Sequence, residues 1–276
     1  MDKPINRRIF FQNSAWAGAS VVAGAGLISA TDRSKSSPDR PTDEFSKYLS
    51  DSNPKLPSAY ALDLDPAQWI WYPSQRTLAN TFVLFRKEII LDSTVKSARG
   101  WILGDSRYLL KINGKRIQWG PAPADPRYSE ADPLDLIHHV QTGRNVIGAT
   151  VLYFGLGDGT WPTGKPGFIF YLDIEYTNGK KQQVLSDESW QVKLARSWRP
   201  GQYKRWYLRA LQEEFDARLY PDGWTSSHYL PDTDWIQPEI LKGSSSKPAL
   251  NTNSADYLNN SSGDGGSTEL RKRSIP

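Results

Sequence analysis

Two groups of side chains carry the types needed to hold a sugar: Trp119, Asp125, Arg127 and Tyr128 in one stretch, Tyr153, Asp158 and Trp161 in another. An aromatic ring covers the apolar face of a pyranose, and a carboxylate or guanidinium bridges its neighbouring hydroxyls. The same residue types also serve loop structure and inter-domain packing. Other chemistries find less material. The chain has no cysteine, which removes disulfides, Cys-ligated zinc and a thiol nucleophile together. Only His138, His139 and His228 are available for a metal cluster or a triad. No Gly-x-Ser-x-Gly elbow and no His-Glu-x-x-His pair occurs. Glu213, Glu214, Asp216 and Asp222 are crowded enough to suggest the paired carboxylates of a glycosidase. Closely spaced acids are nevertheless ordinary on a solvated or salt-bridged surface, and nothing in this spacing aims them at one cavity.

The elements that must position these residues are strands. Trp101 to Tyr128 reads as a two-stranded unit capped by an exposed loop: Leu110 and Ile112 alternate with Lys111, Asn113-Gly114 supplies the two positive-φ positions of a tight turn, and Ile117 and Trp119 continue on the return strand. Gly120, Pro121, Pro123 and Pro126 then end the strand, so Asp125, Arg127 and Tyr128 are expected on a loop. Residues 82–91 are apolar on both parities, which predicts a central strand covered on both faces for part of its length. Val146 to Phe154 reads as another apolar strand, followed by Gly155-Leu156-Gly157-Asp158-Gly159. That loop lacks the spacing of a dinucleotide or phosphate motif; it is either a flexible connection or a place where a ligand approaches Trp161. Phe168 to Tyr176 has the alternation of a half-buried antiparallel strand, Asn178-Gly179 closes a hairpin, and Trp190 to Leu194 alternates again. Leu208, Leu211, Phe215 and Leu219 have the spacing of a short helix. Together these signals predict an all-β fold, a sandwich of two antiparallel sheets.

Composition sets the outer limits. With 38% hydrophobic and 23% charged residues, the 276-residue chain can bury at least one ordinary core. Eleven tryptophans serve either that core or sugar stacking. Arg7 and Arg8 before Phe10-Phe11, with an uncharged run to Ala30, match a twin-arginine export signal over residues 1–30. The run is short and rich in Gly and Ala for a membrane span, so no stable span is expected once it is removed, and the protein is expected to be exported to the periplasm or beyond the cell. Without that segment the formal charge of +4 falls to about +2, too little to argue for nucleic acid. Residues 31–65 read as a polar linker, 66–240 as the sandwich, and 241–276 as a Ser, Asn and Gly-rich tail; both flanking segments are expected to be disordered.

Seven short motifs then share an order with a known family. They are Trp69-Ile70-Trp71-Tyr72-Pro73, Phe85-Arg86-Lys87, Gly104-Asp105-Ser106-Arg107-Tyr108, Ile112-Asn113-Gly114-Lys115, Trp119-Gly120-Pro121, Gly143-Arg144-Asn145-Val146-Ile147 and Gln212-Glu213-Glu214-Phe215-Asp216-Ala217-Arg218. From about Pro66 to Trp235 the chain resembles the amino-terminal β-sandwich of bacterial α-L-rhamnosidases. The resemblance implies a jelly-roll sandwich of the galactose-binding type within enzymes that remove terminal α-L-rhamnose from glycans. It also implies that the catalytic carboxylates belong to a later (α/α)-barrel, so no catalytic residue is carried over here. Calcium is compatible with such modules, yet no run of acidic residues singles out a site, and no cofactor is expected. Three readings follow: an exported, non-catalytic domain that binds a rhamnose-containing or other glycan; a glycoside hydrolase; and a scaffold docking on a separate or missing catalytic domain.

Overall fold

The computed structural model describes residues 61–124, 129–155, 165–201, 212–241, 243–244, 247–248 and 270–273. All lie within one unit, Lys55–Pro276. The expected export signal, and the loop residues Asp125, Arg127, Tyr128, Asp158 and Trp161, fall outside the described residues.

Among the described residues fourteen strands occur in chain order: β1 (Ile70–Trp71), β2 (Thr81–Leu91), β3 (Val95–Asp105), β4 (Arg107–Ile112), β5 (Lys115–Gly120), β6 (Glu130–Asp135), β7 (Gly143–Tyr153), β8 (Gly167–Tyr176), β9 (Lys181–Leu185), β10 (Gln191–Leu194), β11 (Glu239–Ile240), β12 (Gly243–Ser244), β13 (Lys247–Pro248) and β14 (Arg271–Lys272). One sheet runs β11-β1-β8-β3-β6-β14, with β9 also on β8, and a second runs β10-β2-β7-β4-β5. Strands β12 and β13 pair with each other. The two large sheets close face to face as the expected all-β, jelly-roll sandwich. Their inner faces follow the period of two: Phe168, Phe170, Leu172 and Ile174 from β8 meet Val83 and Phe85 from β2, and Leu110 and Ile112 from β4. The rings of Phe85 and Phe168 meet across the layers at 4.6 Å.

Strand β2 lies between β10 and β7 and is buried on both sides, as its mixed parity predicts. Its outer side has a separate cluster, in which Phe82 and Leu84 pack with Ala195, Trp224 and Trp235. The described residues of 195–235 therefore cover the β2 and β10 half of the outer face. Arg86 fastens it there. With a side chain 1% exposed, Arg86 donates Nε to the carbonyl of Trp224 at 2.8 Å, and Nη2 to Glu88 Oε1 at 2.6 Å and to the carbonyl of Ser226 at 3.3 Å. Gly148, the cross-strand neighbour of Arg86, leaves the space this cover needs, since a Cβ there would sit 2.4 Å from Thr225 and 2.8 Å from Trp224.

Three expectations are corrected. Trp101 belongs to β3 in the seven-stranded sheet, so the chain changes sheets between Asp105 and Arg107 and only β4 and β5 form the Asn-Gly hairpin. Of the expected short helix, Leu208 and Leu211 lie outside the described residues; Phe215 forms a bridge to Trp198 and packs on its ring at 4.8 Å, and Leu219 ends a single 3-10 turn, Ala217–Leu219. The sandwich also reaches beyond 66–240. Leu62, Leu64 and Leu270 are buried, and β14 adds a parallel strand to β6, supported by Arg273 Nη1 donating to the buried Asp132 Oδ1 at 2.7 Å.

Replacing Arg86 by Met should lower unfolding free energy by about 3 kcal/mol in urea titrations, because Glu88 and two carbonyls lose a buried charged donor. A loss near zero would show that the cover does not depend on Arg86. Asp105 supplies a pH test. Burial pushes its carboxyl up to about 7, against the hydrogen bond of Ser106 and the charge of Arg107. Its folded pKa exceeds the ordinary value of 3.8, so its contribution is full below that value and is lost as pH rises through about 7. Asp105→Asn should therefore gain stability over the parent between those limits and hold a constant advantage above them, as read from urea midpoints.

Candidate functional site

Among the described residues, none covers the outer face of the five-stranded sheet where β4 and β5 lie. The hairpin joining them turns on Asn113 (φ 50°) and Gly114 (φ 81°), the pair of left-handed positions expected of an Asn-Gly reversal. Asn113 is stapled to the next strand, its Oδ1 accepting from the amide of Val146 at 2.8 Å and its Nδ2 donating to Asn145 Oδ1 at 2.9 Å. At the other end of the hairpin, Gln118 Nε2 donates to Tyr108 Oη at 2.8 Å, and Tyr108 Oη donates to Asp132 Oδ2 of the opposite sheet at 2.5 Å. Burial, with the hydrogen bond to Asp132, holds the Tyr108 phenol well above its usual range, so it remains a neutral donor.

Between these fastenings the ladder carries a bulge. Leu109 pairs with Trp119 and Leu110 with Gln118, but Lys111 pairs with Arg116, so Ile117 is the extra residue. The bulge lets Ile117 pack against the core while Arg116 joins Lys111 and Trp119 on the outer face. Unbroken alternation would have put Ile117 and Trp119 on one face. Trp119 is 67% exposed. It stands over a cleft of about 400 Å³ whose floor is Leu109, Thr150 and Leu152. The opposite wall is the margin of the covering segment: Trp198 stacks on Phe82 at 4.4 Å, with Phe215 at 4.8 Å and Tyr220 edge-on at 5.8 Å from Trp198. Such a cleft has the size and mixed aromatic and polar lining of a small-ligand site.

Of the residues expected to hold a sugar, Trp119 lines this cleft. Tyr153 does not. It ends β7, is buried, and meets Trp71 edge-on at 6.5 Å, so it is a core ring and not part of a ligand loop. Trp198, Phe215 and Tyr220 were not expected at the site; the mixed parity of β2 was their only trace, since it requires a cover. Lys111 and Arg116 were also missed, because the bulge that unites them leaves no mark in the alternation.

A second cleft of about 750 Å³ lies beside the Trp198 and Phe215 ridge and is lined by Glu214, Asp216 and Arg218 among others. Here the crowded carboxylates are engaged: Glu213 accepts from Trp198 Nε1 at 3.0 Å, Glu214 pairs with Arg199 at 3.3 Å, and Asp216 with Arg218 at 2.6 Å. The hydrogen bond from Arg218 holds Asp216 down to about 2, which suits a permanently ionised group and not a proton donor at neutral pH. Among the described residues no group of three or more metal-ligating side chains occurs, and no helix is long and apolar enough to cross a membrane.

A family model described as the alpha-L-rhamnosidase N-terminal domain matches residues 93–255. Among solved structures, the GH78 family rhamnosidase of Bacillus sp. GL1 is similar at 26% identity and a TM-score of 0.61, over 76% of this chain and 20% of that one. The native α-L-rhamnosidase of Aspergillus terreus is similar at 22% identity and a TM-score of 0.56, over 71% and 24%. The α-L-rhamnosidase of Dictyoglumus thermophilum gives 18% and 0.53, over 76% and 22%. The last two are likenesses of fold alone. The chain matches between a fifth and a quarter of the length of these proteins. No curated protein matches it.

The two aromatic candidates should separate cleanly by substitution. Trp119→Ala should change stability by no more than about 0.5 kcal/mol, as for an exposed side chain. Tyr153→Ala should cost about 3 kcal/mol or more, as for a large core ring. Thermal and urea unfolding of both variants checks this, and equal losses would contradict the placement of Trp119.

Proposed function

The chain belongs to the α-L-rhamnosidase N-terminal domain family, and from that premise we propose that it is a non-catalytic accessory module that binds glycans, rhamnose-containing ones foremost. The observation that carries the reading is the exposed indole of Trp119 above an open cleft, held on a hairpin fastened at both ends. A ring of sugar laid on that indole would bury apolar surface on both partners, and the arginines and Thr150 around it offer partners for hydroxyls. The ion-paired state of Glu214 and Asp216 favours binding over hydrolysis. Export rests on the twin-arginine pattern at Arg7 and Arg8, which would direct the module to the periplasm or the medium before being cleaved off. Residues of the second expected loop, Asp158 and Trp161, and of the first, Asp125, Arg127 and Tyr128, remain proposed contacts.

A docking role has its own support. Phe215 and Leu219 are about half exposed beside the cleft, and Leu230 is almost wholly so. Apolar residues left on a rim suit packing against a catalytic domain.

Calorimetric titration with rhamnose and with rhamnosylated oligosaccharides should give saturable, weak binding. Trp119→Ala should weaken it about tenfold, near 1.4 kcal/mol. Absence of heat up to millimolar sugar would remove the glycan reading and leave docking.

A further inference from the structure

Lys111 and Arg116 are direct cross-strand partners on the open face. Like charges placed opposite one another repel, and a sheet normally avoids this or matches the charges with acids. Elsewhere on this sandwich several exposed cations are matched by an acid: Lys96 with Glu175, Arg99 with Asp135, Arg144 with Glu88 and Arg196 with Asp234. Among the described residues neither Lys111 nor Arg116 has an acidic partner, and the cleft they line contains no carboxylate. Arg107, the third cation of the cleft, is differently placed. It donates to the carbonyl of Pro121 and lies in the field of Asp132 and Asp105, so its charge is partly answered.

This like-charged cross-strand pair, left without an acid among the described residues, sits beside the strongly exposed indole of Trp119. We propose that Lys111 and Arg116 hold the carboxylate of a uronic acid unit, with Trp119 under the apolar face of the sugar chain. This rests on the glycan-binding reading and narrows it to acidic saccharides. A carboxylate between the two would cancel their repulsion, and the planar guanidinium of Arg116 can take both carboxylate oxygens while Lys111 adds a point charge. The bulge is what makes the grip: without it Arg116 would leave the face that Lys111 and Trp119 share.

The full chain should be titrated calorimetrically with a galacturonic acid trisaccharide, with its methyl ester and with a sulfated galactose trisaccharide. The free acid should bind at least about tenfold more tightly than the ester at low salt, and the gap should close as sodium chloride rises toward roughly 0.5 M. Lys111→Ala combined with Arg116→Ala should bind acid and ester alike with an unchanged melting temperature, whereas Trp119→Ala should weaken both. Equal affinity of the parent for acid and ester would overturn the carboxylate assignment and leave glycan binding standing. A preference for the sulfated sugar would also overturn it. No heat with any saccharide, neutral ones included, would overturn both readings together.

Discussion

A guanidinium sealed from water needs its donors answered, and Arg86, on β2 of the five-stranded sheet, is such a group. Its partners include two backbone carbonyls of a segment more than a hundred residues away in sequence, so satisfying the charge means bringing that segment down onto the sheet. Trp224 and Trp235 come with it and dry the surface over Phe82 and Leu84. The cover stops there. Where its described residues end, its aromatic margin stands above β7 and β4 as a wall, and no described residue lies over the sheet beyond. The cleft is thus a by-product of an incomplete second layer, with one wall donated by the cover and the other by the edge hairpin.

That edge is unusually well restrained. The reversal at Asn113 is tied to Asn145 and Val146, and the far end is tied through Tyr108 to Asp132 in the opposite sheet. An indole mounted on a strand held at both ends gives up little freedom when a ligand arrives, and this reduces the entropic cost of association. The arrangement also divides roles among similar residues. Tyr108 and Tyr153 serve the interior, while Trp119, on the same sheet, serves the surface.

Strand periodicity was legible because burial on an inner face is a local, two-residue pattern; Phe168 to Tyr176 and the mixed parity of Thr81 to Leu91 declared themselves in this way. The Asn-Gly turn was legible for a different reason, since few other pairs accept two left-handed conformations. What escaped depended on residues far apart in the chain. The displacement of Ile117 arises from pairing with β4, and Arg116 changes face only as a result. Tyr153 was mistaken for a loop residue because the glycines beginning at Gly155 follow so soon, yet its strand ends on the inward side. The polar composition after Leu241 concealed Leu270 and Arg271, where a short apolar and basic stretch pairs with β6.

That last pairing has a mechanical side. Ala61 bridges Arg271, and the amide of Leu62 donates to the carbonyl of Leu270 at 3.0 Å, so the first and last described residues of the sandwich lie side by side on its rim. A body gripped at two adjoining points behaves as a pendant on a cord. A pull along the backbone would be borne by the few bonds around Ala61 and Lys272, and the long ladders behind them would stay slack.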